Sequence, residues 1–387
     1  MVRATFTRRN FAIGLAGAFP QALLAKPRAE SRKSLFFVGT YTRTISKGIY
    51  SYRFDAEQGA VTPLGVAGES QNPSFLAMGP DGRVLYAVNE VNDYEGKRSG
   101  SVSAFSIDPE RGTLKLLNRV ASQGAAPAHL AVHASGRWLT AANYNGGSVV
   151  SIPIAPNGSL GDAVSVKQHT GSGPHPQRQQ SPHPHQTVFS PDQRFVLVPD
   201  LGTDQIVVYA FDAANGKLEE AGRVNLPPGS GPRHISFDPS GKYAVLISEL
   251  KGQLTLFSYG SNDGSLHRLG TVSSLQEPFE GNNTAAEIAF VPGSRYWIAS
   301  NRGPDVVDVF RMDKGRFSAQ GEFSAGGKTP RHIAVHPGGR FLFVPHQGSD
   351  TVALFRIETK TGHLTDTHSG FSVPQPTCVA FWNGPNQ

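Results

Sequence analysis

The chain has 387 residues, 17% of them charged and 38% hydrophobic, with 43 glycines and 28 prolines. Its formal net charge of +6 is too small to mark a nucleic-acid binder, and its single cysteine, Cys378, leaves no partner for an intrachain disulfide. Abundant glycine with modest charge suits many short strands joined by tight turns.

At the N-terminus, Thr7-Arg8-Arg9-Asn10-Phe11 precedes a weakly apolar run from Ala12 to Ala25, too short to span a bilayer as a mature helix. A twin-arginine pair before such a run reads as a Tat export signal and predicts a periplasmic mature protein. Cleavage after Ala25 removes three arginines and no acid, which lowers the net charge to +3. Residues 1–30 are therefore expected to be signal and short linker, with one domain over 31–387. No second long apolar segment follows, so no membrane span is expected in the mature chain.

From Ser34 the chain is repetitive. A lone apolar strand, SLFFVGTY, comes first. A hairpin template then recurs: Pro, two variable residues, apolar alternation, a turn, Arg or Lys, four mostly apolar residues and a polar end. Its copies are NPSFLAMGPDGRVLYAVNE from Asn72, APAHLAVHASGRWLTAANY from Ala126 and HPHQTVFSPDQRFVLVPDL from His183. GPRHISFDPSGKYAVLISEL follows from Gly231, AAEIAFVPGSRYWIASNR from Ala285 in weaker form, and TPRHIAVHPGGRFLFVPHQ from Thr329. A period of roughly fifty residues is the mark of a repeat architecture.

A second pair of strands follows each copy, beginning at Gly48, Gly100, Gly147, Asp204, Gly252, Asp305 and Asp350. That makes seven second halves against six complete first halves. The chain ends in QPTCVAFW from Gln375, which matches the template's first strand and lacks a successor, whereas SLFFVGTY matches the second strand and lacks a predecessor. Pairing them predicts an all-β, seven-bladed β-propeller closed by its N- and C-terminal strands, which removes the free edges of an open array.

In a propeller the first strand of each blade is innermost. The residue after the template Pro and the end of the return strand then lie at one end of the hairpin, ringing the channel mouth. The first position gives Ser74, Ala128, His185, Arg233, Ala286, Arg331 and Thr377. The second gives Asn89-Glu90, Asn143-Tyr144, Asp200-Leu201, Ser248-Glu249, Asn301-Arg302 and His346-Gln347. Charge and imidazole concentrate in the later blades, an asymmetry that a structural repeat does not require. An anion site with an acid/base pair is expected there, with Arg331, His346 and Asn301 as binding residues.

One residue further on, His129, His234 and His332 recur, with Glu287 in the same slot. Strand alternation predicts that they turn away from the ring and bond between blades. The loop His169–His185 holds four histidines but no HExxH, no Cys pair and no acid, so it is expected to form a wall or lid over the funnel, with no metal. No cofactor signature occurs: GxSxG is absent, and the Gly321 stretch has the wrong glycine spacing for a phosphate loop.

The HPHQ, GPRH…SEL and TPRH segments resemble the seven-bladed propeller lactonases, which include propeller-type bacterial 6-phosphogluconolactonase and fungal carboxy-cis,cis-muconate cyclase. The resemblance covers about Ser34 to Trp382. In the cyclizing relatives the functional set is a His, an Arg, a Glu sixteen residues later, and a further Arg. It falls here on His185, Arg233, Glu249 and Arg302, all already on the ring. The resemblance implies hydrolysis of a sugar-acid or related lactone, a small anionic substrate. The same groups run backwards would close a muconate, and a non-catalytic propeller binding an anion or a protein is the alternative from another class. Either Glu249 or His185 could take the proton from water.

Overall fold

The computed structural model describes residues 33–382 and Gly384, so the expected export signal lies outside the described residues. Val, Ile, Leu and Phe runs such as Phe195–Asp200 and Phe341–His346 are buried along their whole length. A strand buried on both faces cannot stand alone; it must be sandwiched between two other sheets. Radial stacking of sheets provides that.

Seven antiparallel sheets result. Blade 1 combines Lys33–Thr40, Gly48–Asp55 and Ala60–Glu69 with the C-terminal strand Pro376–Phe381. Blades 2 to 7 follow in sequence, with inner strands beginning at Leu76, Pro127, Val188, Pro232, Thr284 and Ala334. Six sheets have four strands. In blade 7 the outer edge is split into Leu364–Asp366 and Phe371–Ser372, both paired with Thr351–Ile357. Seven apolar clusters fill the seven interfaces between neighbouring blades. The one between blades 7 and 1 packs Phe341, Phe343 and Leu354 against Phe36, Val38 and Phe54.

The closing strand pairs as the sequence predicts, with Phe36 opposite Phe381, Val38 opposite Val379 and Gly39 opposite Cys378. Gly39 is required by close approach: a Cβ there would stand 2.4 Å from the Pro73 carbonyl oxygen and 2.7 Å from Cys378 Sγ. Burial pushes the Cys378 thiol up to about 12, so the lone cysteine is an inert packing group. Among the described residues no helix is long and apolar enough to cross a membrane.

The expected strand alternation fails at the inner strands. Register shifts fall between Pro127 and His129, between Pro232 and His234, and between Ala285 and Ile288. In blades 4 and 7, single bridges at Pro184 and Pro330 precede a gap before Val188 and Ala334. An extra residue at this point breaks the two-residue period. As a result both residues after the Pro line the axis: one narrow cavity is walled by Ser74 and Phe75, Arg233 and His234, and Arg331 and His332.

Candidate active site

A repeated backbone device builds the mouth. In five blades the residue before the template Pro takes a left-handed φ: 42° at Asn72, 49° at Ala126, 62° at Gly231, 60° at Thr329 and 43° at Gln375. That conformation costs a non-glycine residue about 1–2 kcal/mol and is unusual before proline, so the surroundings must impose it. A hydrogen bond does so. The carbonyls of these five residues accept from the N–H of Glu90, Tyr144, Glu249, Gln347 and Tyr41 at 2.7–3.1 Å, and His183 accepts from Leu201 in the same way. The residue after Pro and the residue ending the return strand are thereby fixed side by side.

At the return-strand ends the pairs split by alternation. Their first members point into the blades: Thr40, Asn89, Asn143, Asp200, Ser248, Asn301 and His346 are all buried. Asn301 donates to the Ser274 carbonyl at 3.0 Å and to Asp308 at 2.9 Å, and His346 Nε2 bonds the Ala325 carbonyl at 2.8 Å. Asn89 and Asn143 make the matching bonds to Gln71 and Ser122. Asn301 and His346 thus hold the fold and are not brought to the cluster, contrary to expectation. The second members, Tyr41, Glu90, Tyr144, Glu249 and Arg302, are those that meet site residues.

Glu249 is the hub. Its Oε1 accepts from Arg178 Nη2 at 2.6 Å, while Oε2 lies 2.9 Å from Arg302 Nη2 and 3.0 Å from Arg233 Nε. Three consecutive carbonyls of blade 6 seat two of these guanidiniums. Arg302 donates to Thr284 at 3.0 Å and Ala285 at 3.2 Å, and Arg233 donates to Ala286. Arg331 stands 3.8 Å from Glu90, whose two oxygens each accept from Tyr41 Oη at 2.9 Å. Four guanidiniums thus face these two carboxylates, with a third, Glu287, lining the cavity beneath, and the cup keeps a net positive charge.

Electrostatics assigns the protonation states. Burial pushes the Glu249 carboxyl up, but Arg302, Arg233 and Arg178 more than offset this and hold it well below the usual carboxylate range. Burial, with Arg302 and Arg331 nearby, lowers Arg233 to about 9, so it stays charged at neutral pH. Burial and then the fields of Arg233, His234 and Arg331 push His185 well below an ordinary imidazole, so it is neutral. Its ring lies edge-on to Tyr144 at 5.4 Å, and Nδ1 is 3.1 Å from His234 Nε2.

His185, Arg233, Glu249, Arg302 and Arg331 are therefore brought together as the ring positions predict. Arg178 was not foreseen. It comes from the irregular 169–185 loop, which has no repeat register to place a side chain. Tyr41 had a signal: it ends SLFFVGTY in the slot that Glu90 and Tyr144 fill in later copies. The loop forms one wall of the site through Arg178, which also donates to Tyr144 Oη at 3.1 Å. Its histidines have other work: His169 bridges Asp200 and Tyr209, His175 Nδ1 accepts from the Gln177 and Arg178 amides, and His183 bonds the Tyr144 carbonyl. Among the described residues no three His, Cys, Asp or Glu side chains gather as a metal site.

Residues 35–381 match the family described as Lactonase, 7-bladed beta-propeller. The chain belongs to that family. It is 33% identical over 351 residues to 6-phosphogluconolactonase of Bacillus subtilis, covering 90% of this chain and 98% of that one. It is 32% identical over 284 residues to 6-phosphogluconolactonase of Formosa agariphila, covering 72% of this chain and 79% of the relative. Among solved structures, the periplasmic gluconolactonase of Pseudomonas aeruginosa superposes with a TM-score of 0.85 at 35% identity, covering 91% of this chain and all of that one.

Proposed function

We propose that this lactonase-family propeller opens the lactone ring of a sugar acid at the channel mouth, with His185 as general base. The observation that carries the assignment is the commitment of Glu249 to three guanidiniums. Both oxygens of that carboxylate are taken up by guanidiniums, whereas His185 is neutral and makes its hydrogen bond through Nδ1, so its Nε2 lone pair is the one open to water. His185 would take a proton from water as its oxygen attacks the lactone carbonyl. The oxyanion develops in the field of Arg233 and Arg302. Collapse breaks the bond from the carbonyl carbon to the ring oxygen, and the imidazolium returns the proton to the leaving alkoxide. The product is the open hydroxy acid.

Four guanidiniums against three carboxylates favour a substrate with an anionic group, and planar Arg forks suit carboxylate or phosphate. Arg8-Arg9 and the periplasmic relative in Pseudomonas aeruginosa support export to the periplasm. The test is base uptake by purified protein in a pH-stat with glucono-1,5-lactone, its 6-phosphate and a carboxylated sugar lactone. Acceleration over buffer with at least one supports the reading. Folded protein that accelerates none of them overturns it.

A further inference from the structure

Beneath His185 a line of hydrogen-bonding groups crosses three blades. His185 of the blade 4 entry bonds His234 of blade 5, Nδ1 to Nε2 at 3.1 Å. His234 Nδ1 in turn lies 2.9 Å from both carboxylate oxygens of Glu287 in blade 6. All three residues are buried, at 5%, 3% and 7% exposure.

The direction of the chain follows from what Glu287 can do. Its Oε1 already accepts from the Ile288 amide at 3.1 Å. A ring nitrogen equidistant from both oxygens fits an N–H shared by an acceptor-only carboxylate; a carboxylic acid would place its proton on one oxygen. Burial raises the Glu287 carboxyl, and the charges of Arg233 and Arg331 work against that rise; His332, held at about 4, stands 3.6 Å away as a neutral ring. With His234 protonated at Nδ1, its Nε2 is an acceptor, and His185 must donate from Nδ1. That leaves His185 Nε2 with its lone pair and, among the described residues, no hydrogen-bond partner.

We propose that His234 and Glu287 are positioning residues that lock His185 in the Nδ1-protonated tautomer and so present a bare Nε2 as the base. The inference deepens the lactonase reading and rests on it for its catalytic part. Its geometry resembles other sites where a buried carboxylate fixes an imidazole's tautomer, but here a second imidazole is interposed. The slot that looked like a purely structural tie between blades then has a second task. The bulge after Pro232 makes this feasible, because it turns Arg233 and His234 to the axis together.

The test reads the tautomer directly. Protein labelled with 15N-histidine gives long-range 1H–15N ring correlations at pH 7, and a His185→Asn sample identifies the His185 signals. The expected pattern is a protonated Nδ1 and an unprotonated Nε2. In Glu287→Gln, whose amide can either donate or accept, the Nε2-protonated form of His185 should appear. There kcat should fall between about 10- and 10⁴-fold while KM changes little. Wild-type His185 found protonated at Nε2 overturns the proposal even if no variant folds. So does a Glu287→Gln protein with an unchanged tautomer, or with a changed tautomer and wild-type kcat. The wild-type spectrum needs no substrate, so a protein that hydrolyses no lactone would sink the proposed function while the relay itself was still read.

Discussion

Glu249→Gln removes one charge and almost no volume from a site where that charge neutralises three cations. Arg233 is 2% exposed and the Arg302 side chain 13%, whereas Arg178 is 36% exposed and can turn to solvent. Only the first two therefore weigh fully on stability. Stripping the partner from a buried ion pair costs about 3–5 kcal/mol. For a domain of this size that lowers Tm by roughly 4–7 °C. The remaining guanidiniums repel one another, and Arg233 and Arg302 should move from their places at the carbonyl. A kcat loss of about 10²–10³ is expected, the scale of a lost oxyanion donor. The acid limb of the pH–rate profile should persist and move toward lower pH, because the base is His185 and the unmasked guanidiniums depress it further. Scanning calorimetry and pH-stat kinetics read both effects. A variant with wild-type Tm whose acid limb disappears would refute the reasoning and make Glu249 the base.

Arg302→Lys keeps the charge but loses the fork that spans Glu249 and the Thr284 and Ala285 carbonyls. KM for anionic lactones should rise about tenfold, and more than for a neutral lactone, in paired assays. Deleting from Gln375 onward removes the strand paired with Lys33–Thr40 and exposes the edge it covers. Soluble yield and thermal melting should both collapse, and a cooperative wild-type melt would contradict ring closure as a source of stability. Acid should destabilise the protein below pH 6.5. His129, His185 and His234 are held well below that value and His332 at about 4, chiefly by burial, so the unfolded chain takes up protons that the folded one refuses. The urea midpoint should therefore fall steadily from pH 6.5 toward 4, and a flat profile would count against neutral buried histidines.

The ring of blades was legible because every copy spends the same residues on the same turn, and because QPTCVAFW lacks the partner that SLFFVGTY supplies. The site was legible to the extent that it sits in repeat register: His185, Arg233, Glu249 and Arg302 occupy slots whose place in one blade gives their place in all. Register also misled. Asn301 and His346 stand one residue before the site-facing position, and a one-residue offset in a strand moves a side chain to the other side. The bulge after each Pro is written in backbone strain at residues such as Ala126 and Thr329, which no apolar pattern reveals. Arg178 was out of reach for a different reason. Its position depends on how a proline-rich loop packs over blade 4, a tertiary outcome with no period.

The claim that His185 does the chemistry at this mouth is tested most directly by His185→Asn, which keeps a polar group of similar size and removes the titratable nitrogen. On the lactone that wild type hydrolyses fastest, kcat should fall by about 10²–10⁴ with KM and Tm close to wild type. A folded His185→Asn protein that turns over that lactone at the wild-type rate would contradict the account.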